Sequence, residues 1–154
     1  MMFPKITKDF LRTNNFESDG LHFDEEIYFR PRQGVKLPPT AAENNAKLRK
    51  KIVDIFTEHY KNNFVKLENN CAINENTMRK YLKGTRKITR EALSKFCVGT
   101  KLNLEQSAEL FTLQGHSLEP ETQYFDALVV MALQDGDSIE IFYETCEEYN
   151  IKIF

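Results

Sequence analysis

The sequence predicts an all-α protein, and three observations support this fold class. Apolar residues recur at helical spacing, as at Leu48, Ile52 and Ile55. Residues that favour helix starts or stops, mainly Asn, Thr and Gly, separate the periodic stretches. Alternation typical of strands is suggested only weakly, near residues 21–29. We therefore expect helices to build the core.

Chain length and composition limit the class of protein. The chain has 154 residues, 41% of them hydrophobic, which suits one core with additions. Cys71, Cys97 and Cys146 are far apart, so we expect small core residues in a reducing compartment and neither disulfides nor a zinc site. No apolar stretch has the length of a signal-peptide core or a membrane span. We expect a soluble cytoplasmic protein with no membrane partner.

Charge is segregated along the chain. Residues 1–42 balance six basic against six acidic side chains, residues 43–101 carry fourteen and six, and residues 102–154 carry one and eleven. The balances are therefore 0, +8 and −10. A cationic segment of this kind is typical of a surface that meets phosphate groups. The acidic segment is expected to lie away from that surface or to contact another partner.

Residues 1–40 form an N-terminal arm in our interpretation. Residues 3–13 suit a short helix or coil, and a small hairpin is suggested by alternating apolar residues at Leu21, Phe23, Ile27 and Phe29. A linker-like run with three prolines and a glycine, RPRQGVKLPP, follows. Two interpretations stay open: a partly ordered arm laid on the core, or a basic arm that reaches a partner through Arg30, Arg32 and Lys36.

The first long helix is expected to begin near Ala41. Thr40 and Glu43 have the T-x-x-E spacing of a capping box directly after two prolines. Asn62 and Asn63 interrupt the helical pattern.

Residues 64–87, FVKLENNCAINENTMRKYLKGTRK, predict two short helices joined by a tight turn. In the first helix, Leu67 and Cys71 are expected to face the core. Ala72 is expected in the turn, where a large side chain would push the helices apart, and Ile73 fills the corner between them.

The second helix of this pair has a clear start and end. Asn74 is a good N-cap, whose side-chain oxygen can accept from the amide of residue 76 or 77. Met78, Tyr81 and Leu82 follow at helical spacing and predict one buried face. Gly84 can adopt the left-handed conformation that ends a helix.

Four more helices are predicted downstream. Thr89 begins one that Gly99 is expected to stop, and Asn103 with Gln106 caps another that ends at Gly115. In the acidic extension, residues 116–154, Pro120 is expected to open one helix and the pair Asp137 and Glu140 to cap another.

The segment L-x-x-x-x-A-I-N-E-N-T-M-R-K-Y-L-K-G, residues 67–84, resembles the motif of the lambda-repressor-like, or Xre/Cro, helix-turn-helix family. The positions in register are Leu67, Ile73, Thr77, Met78, Tyr81 and Gly84. The sequence departs from the family pattern at Phe64, Glu68, Ala72 and Leu82. The resemblance implies a five-helix DNA-binding domain over residues 41–115, here with an N-terminal arm and two extra C-terminal helices.

The resemblance also implies which side chains meet DNA. The base-contacting positions of the recognition helix map to Glu75, Asn76, Arg79 and Lys80. Their chemistry suits the role, because Asn can bridge adenine, Arg and Lys can donate to guanine, and Glu can accept from cytosine. The alternative is an ordinary solvated or protein-binding helix face.

Phosphate contacts are expected around both ends of that helix. The residues are Asn74, Thr77, Lys83, Thr85, Arg86, Lys87 and Arg90. Such donors add affinity and register without sequence information. The alternative is an ordinary basic surface loop.

The apolar residues of the acidic extension have two interpretations. They can pack on the fifth helix of the domain, or they can form a dimer seam, because large apolar surfaces rarely stay exposed on soluble monomers. The seam would contain Leu128, Val129, Met131, Phe142, Ile151, Ile153 and Phe154.

Together these patterns favour a sequence-specific transcriptional regulator of bacterial or phage origin that binds double-stranded DNA as a homodimer, with half-sites about one duplex turn apart or a multiple of it. Repression by promoter occupancy is the simplest mechanism. The alternative is a phage or mobile-element inhibitor or adaptor that uses the same scaffold to bind a protein, for example a basic partner of the acidic extension. We expect no catalysis, metal or cofactor, because the three histidines, His22, His59 and His116, are isolated and no phosphate-loop motif occurs.

Overall fold

The computed structural model describes residues 3–13 and 39–153, and within these ranges all regular secondary structure is helical. The helices are α1 Lys8–Thr13, α2 Pro39–Tyr60, α3 Phe64–Cys71, α4 Glu75–Lys83, α5 Arg90–Thr100, α6 Leu104–Gln114, α7 Tyr124–Asp135 and α8 Ile139–Glu148. The all-α prediction is confirmed for this part of the chain. The expected hairpin with Leu21, Phe23, Ile27 and Phe29, and the arm cations Arg30, Arg32 and Lys36, lie outside the described residues.

Several helix boundaries follow the capping signals in the sequence. Asn74 accepts from the Thr77 amide at 2.8 Å and starts α4, and Thr89 accepts from the Ala92 amide at 3.1 Å and starts α5. The predicted capping box of α6 is complete, with both of its hydrogen bonds made. Such caps each stabilise a helix by about 1 kcal/mol.

Three predicted helix starts are corrected. Helix α2 begins at Pro39, so Thr40 lies inside the helix and is not its N-cap; a proline suits the first helical turn because its fixed φ is already helical. Pro120 lies in a turn, and α7 begins at Tyr124. Helix α8 is capped by Ser138, one residue after Asp137, through a 3.3 Å bond from the Ile141 amide.

Gly99 does not end α5, which continues to Thr100. Its role is close packing, because a Cβ at this position would lie 2.2 Å from the carbonyl oxygen of Asn70 and 2.7 Å from the Cα of Cys71. The absence of a side chain lets α5 lie directly against the end of α3.

Helix α5 is the centre of the fold. Nine of its eleven residues are buried, which means that it is covered on all sides. It packs against α3, α6, α7 and α8, whereas α4 packs mainly against α2 and α3. The buried apolar residues of 41–115 and of 116–154 belong to one cluster. The division of the chain into three parts stays a prediction.

A buried ion pair joins α5 to the C-terminal extension. Arg90 and Asp126 are 0% and 1% exposed, and their side chains meet at 2.7 Å. Arg90 also donates to the His116 carbonyl at 2.6 Å, and Asp126 accepts from the Glu119 amide at 2.9 Å. The guanidinium lies 4.9 Å from the ring centre of Phe111. The pair therefore fixes the loop between α6 and α7 as well as the two helices.

The predicted dimer seam is wrong for most of its residues. Five of them are buried within this single chain: Leu128, Val129, Met131, Phe142 and Ile151. Helices α7 and α8 pack on each other and on α5, and α7 also makes a smaller contact with α6. Ile153 is partly buried against the same core, and Phe154 lies outside the described residues. The five buried side chains complete the core of a single chain and are therefore not available to contact a second copy.

The N-terminal segment, residues 3–13, lies against the extension. Ile6 is buried, and its amide donates to the side chain of Gln134 at 3.0 Å. Lys5 pairs with Asp135 at 2.7 Å, and Lys8 pairs with Glu148 at 3.6 Å. Part of the negative charge of the extension is therefore matched by cations from the same chain.

The three cysteines are buried and unpaired, which confirms their interpretation as small core residues. In the part of the chain that the structure describes, no helix is both long and apolar enough to cross a membrane.

Replacing Gly99 with Ala should destabilise the protein by at least about 2 kcal/mol, since the added methyl group overpacks a helix contact. In an unconstrained helix the same change would be stabilising. Urea denaturation at neutral pH measures the effect. Gly136→Ala is the control, because Gly136 has φ +66 but open space around its Cβ position. A smaller loss for Gly99→Ala than for Gly136→Ala would contradict the packing role.

Asp126→Asn should cost about 3–5 kcal/mol, because it leaves the Arg90 charge buried without its counter-charge. Arg90→Met should cost a similar amount, and the double variant clearly less than the sum of the two. A double-mutant cycle by urea denaturation measures this coupling. Lys5→Met at the exposed Lys5–Asp135 pair is the control, expected to change stability by less than about 1 kcal/mol. Additive effects at Arg90 and Asp126 would contradict the coupling.

Alkaline pH should destabilise the protein through Cys97. Burial raises the pKa of this thiol from 9.0 to about 12, so its contribution is present below pH 9 and is lost as pH rises towards 12. The slope is about 1.4 kcal/mol per pH unit for one thiol. Urea denaturation between pH 8 and 11 should give a shallower decline for Cys97→Ala than for the unchanged protein. If the free energy of unfolding fell equally with pH in both proteins, the Cys97 thiol would be excluded as a cause.

Candidate functional site

Helices α3 and α4 are joined by a three-residue turn, residues 72–74. Ala72 adopts a left-handed conformation with φ 57 and its side chain is exposed. Crowding is therefore not the reason for a small residue here; a left-handed backbone disfavours large and branched side chains. The buried ammonium of Lys95 donates to the Ala72 carbonyl at 3.1 Å. Burial lowers the pKa of Lys95, and the negative charge of Glu91 partly opposes this shift.

The inner faces of α3 and α4 are buried as the sequence pattern predicts. The residues are Leu67, Cys71, Ile73, Met78 and Tyr81, with Leu82 only partly buried. A polar network lies behind them: the Tyr60 hydroxyl is 2.7 Å from the Thr100 hydroxyl and 3.3 Å from the Cys71 sulfur. Burial raises the pKa of both Tyr60 and Cys71. The network links the ends of α2, α3 and α5.

The C-terminal end of α4 is held by Arg49 of α2. Its Nε donates to the Leu82 carbonyl at 2.8 Å, and its side chain lies over Gly84, which has φ +78. A Cβ at Gly84 would lie 3.1 Å from Cδ of Arg49. The glycine thus both ends α4 and makes room for the arginine.

The outer face of α4 is polar and exposed. Its four predicted base-contacting residues, Glu75, Asn76, Arg79 and Lys80, are all exposed on this helix. Their contacts with bases stay a prediction.

Arg79 has two contacts on this face. Its Nε donates to Glu75 at 2.8 Å in an i,i+4 ion pair with both side chains 48% exposed. Its guanidinium carbon also lies 4.3 Å from the ring centre of Phe64. Phe64 is partly buried and packs on Phe56 with ring centres 4.9 Å apart. The arginine is therefore held between the start of α3 and the first turn of α4.

Cationic and hydroxyl side chains surround the end of α4. Lys83, Thr85, Arg86 and Lys87 are exposed. Thr85 donates to the Lys80 carbonyl at 3.3 Å, and Lys87 donates to the Gln114 carbonyl at 3.0 Å. At the start of α4, the Asn74 oxygen is used as the cap and Thr77 is half-buried.

Arg90 is not part of this surface. It is fully buried and paired with Asp126, so the prediction that it contacts phosphate is wrong. Arg90 follows exposed cations in the sequence, but as the first residue of α5 its side chain is turned towards α7.

A groove of about 260 Å³ lies beside the end of α4. It runs between α2 and the loop from α4 to α5, and its lining includes Arg49, Tyr81, Arg86 and Lys87. The groove continues the cationic surface away from the outer face of α4. Guanidinium and ammonium groups in such a position can bind phosphate oxygens.

Metal chemistry has no visible support in the described ranges. No three His, Cys, Asp or Glu side chains are grouped there closely enough to hold a metal ion. His59 is exposed and His116 is half-buried, and His22 lies outside the described residues.

Three contacts that hold this surface are not predicted by the sequence: those of Lys95 with Ala72, Arg49 with Leu82 and Phe64 with Arg79. Each joins residues far apart in the chain, so helical periodicity gives no signal for them. The Glu75–Arg79 pair was predictable, because an acid four residues before a base is the favourable i,i+4 arrangement.

No protein-family model matches the chain, and no characterised protein or solved structure is significantly similar to it. Function is therefore inferred from the geometry of the α3–α4 surface.

Proposed function

We propose that the protein is a sequence-specific DNA-binding regulator with a lambda-repressor-like fold over α2–α6. In this proposal α4 enters the major groove and reads bases, and the cations at its end bind the phosphate backbone. Occupying a promoter is the simplest way in which such a protein regulates transcription.

The observation that carries the proposal is how the rest of the fold holds α4. Its inner face is buried, whereas Asn76, Arg79 and Lys80 remain exposed on the opposite side. The helix is fixed at its start by the Asn74 cap, and at its end by Arg49. A rigid helix with a polar outer face is what base readout requires, since ordering it on binding would cost affinity.

The distribution of charge supports DNA as the partner. Lys80, Lys83, Arg86 and Lys87 lie on or just after α4. Among the described residues, no carboxylate pairs with Lys80 or Lys83. The acidic helices α7 and α8 pack on each other and on α5, whereas α4 packs mainly on α2 and α3. Phosphates approaching α4 would therefore meet cations first.

The proposal concerns one copy of α4 and one DNA half-site. A homodimer on a two-fold site stays a prediction, and it needs a surface other than the buried residues of α7 and α8.

Binding to another protein is the second candidate, and one observation favours it. Val65 is 69% exposed at the start of α3, beside Phe64. An exposed aliphatic side chain next to a cationic helix suits an acidic protein surface with an apolar patch as well as it suits DNA. Such a partner would compete for the same face of α4.

Titration of the protein with duplex DNA at several salt concentrations tests the proposal. Affinity should fall steeply as salt rises, because bound cations release counterions from the phosphates. Lys83→Ala should weaken binding to all sequences alike and reduce the salt slope by about 1. Asn76→Ala should instead relax preference at one base pair, by about 1–3 kcal/mol.

Lys152→Ala is the matched control, because Lys152 is an exposed lysine within the acidic extension and far along the chain from α4. It should leave affinity and salt slope unchanged. Absence of DNA binding at low salt would overturn the proposal. If Lys83→Ala and Lys152→Ala changed DNA affinity and salt slope equally, the assignment of the binding face would be wrong.

A further inference from the structure

We propose that Arg79 is a guanine reader whose side chain is set in position before DNA binds by Phe64 and Glu75. This inference rests on the proposed function and names the base that the α4 surface selects. It also gives Glu75 a different role, that of a positioning residue and not a reader of cytosine.

Two contacts of different kinds restrain the guanidinium. The guanidinium carbon lies over the ring of Phe64, 4.3 Å from the ring centre. The Glu75 carboxylate accepts from Nε at 2.8 Å. The ring limits where the guanidinium lies, and the carboxylate limits the direction in which its Nε points. Neither contact alone limits both.

Phe64 is itself fixed by the fold. Its ring packs against Phe56 of α2 at 4.9 Å between ring centres, and its side chain is partly buried against the core. The Asn63 cap holds the backbone at this point, because its side chain accepts from the Lys66 amide at 3.1 Å. The Phe64 ring that contacts Arg79 is therefore held by α2 and by the capped start of α3.

The restrained group leaves a defined set of donors. Guanidinium carries five N–H donors, and the one on Nε is used by Glu75. The two terminal nitrogens of Arg79 can then donate in parallel to two neighbouring acceptors. In the major groove, guanine presents two adjacent acceptors, O6 and N7, whereas adenine places an amino donor beside N7. The geometry of the remaining donors therefore selects guanine.

The negative charge of Glu75 fits this arrangement. An isolated carboxylate on a DNA-binding face would repel phosphates, but here it is paired with Arg79. Its position N-terminal to the arginine at i,i+4 is the favourable orientation on a helix. Arg79 gives up one donor and gains a fixed direction for the others.

Selection of bound sites from random duplex DNA tests the reading of guanine. The unchanged protein should select a guanine at one position of each site, and Arg79→Ala should lose that preference while keeping the others. On the selected site, Arg79→Ala should bind about 10- to 100-fold more weakly. Replacing the selected guanine with 7-deazaguanine, which lacks the N7 acceptor, should weaken the unchanged protein but not Arg79→Ala.

Two variants test the positioning role. Phe64→Leu keeps an apolar side chain and removes the ring, and it should reduce the preference for guanine about 3- to 10-fold with little change on non-specific DNA. Glu75→Gln removes a negative charge, so it should raise non-specific affinity while lowering the preference for guanine. If Glu75 only supported the fold, its replacement would not raise non-specific affinity and lower the preference for guanine at the same time. Val65→Ala is the control next to Phe64, and it should leave base preference unchanged.

The outcomes separate this inference from the proposed function. Salt-dependent DNA binding without an Arg79-dependent guanine would overturn the inference and leave the proposed function standing. Loss of preference for a cytosine in Glu75→Gln would also overturn it, since Glu75 would then be a reader. Absence of any DNA binding at low salt would overturn both.

Discussion

The buried ion pair between Arg90 and Asp126 is the interaction on which the arrangement of helices depends. Two charges in an apolar core are costly unless each has partners of good geometry. Here the partners come from α5, from α7 and from the carbonyl and amide groups of the loop between α6 and α7. These hydrogen bonds form only when all three segments are in place. It therefore makes the C-terminal extension part of the folding unit.

The ion pair also affects the position of α4, because α5 contacts the helix pair α3 and α4. The same helix that begins at Arg90 carries Lys95, which holds the turn between α3 and α4, and Gly99, which lets α3 approach closely. Helix α5 thus lies between the C-terminal extension, which packs on one side of it, and the candidate site on the other. A short helix such as α4 is marginal in isolation, so its orientation depends on these contacts and on Arg49.

The sequence predicted the local features of the fold well and the distant ones poorly. Asn74, Thr89 and Asn103 were recognised as caps because capping is decided within four residues. Gly99 was misread, since a glycine that ends a helix and one that permits close packing look alike in sequence. Arg90 was misread for a related reason: its partner, Asp126, lies 36 residues away. Exposure of the outer face of α4 followed from helical period, but the contact of Arg79 with Phe64 did not.

Burial and ion pairing reduce the charge that each segment presents at the surface. Two of the fourteen cations in residues 43–101, Arg90 and Lys95, are buried, and part of the acidic extension is paired with Lys5 and Lys8. The field at the surface is therefore weaker than the segment balances of +8 and −10 imply. The exposed cations Lys80, Lys83, Arg86 and Lys87 remain beside α4. In the proposed function such cations add affinity for any phosphate backbone, whereas base preference requires donors of fixed direction. Phe64 and Glu75 both depart from what a purely electrostatic surface would contain, and both contact the guanidinium of Arg79.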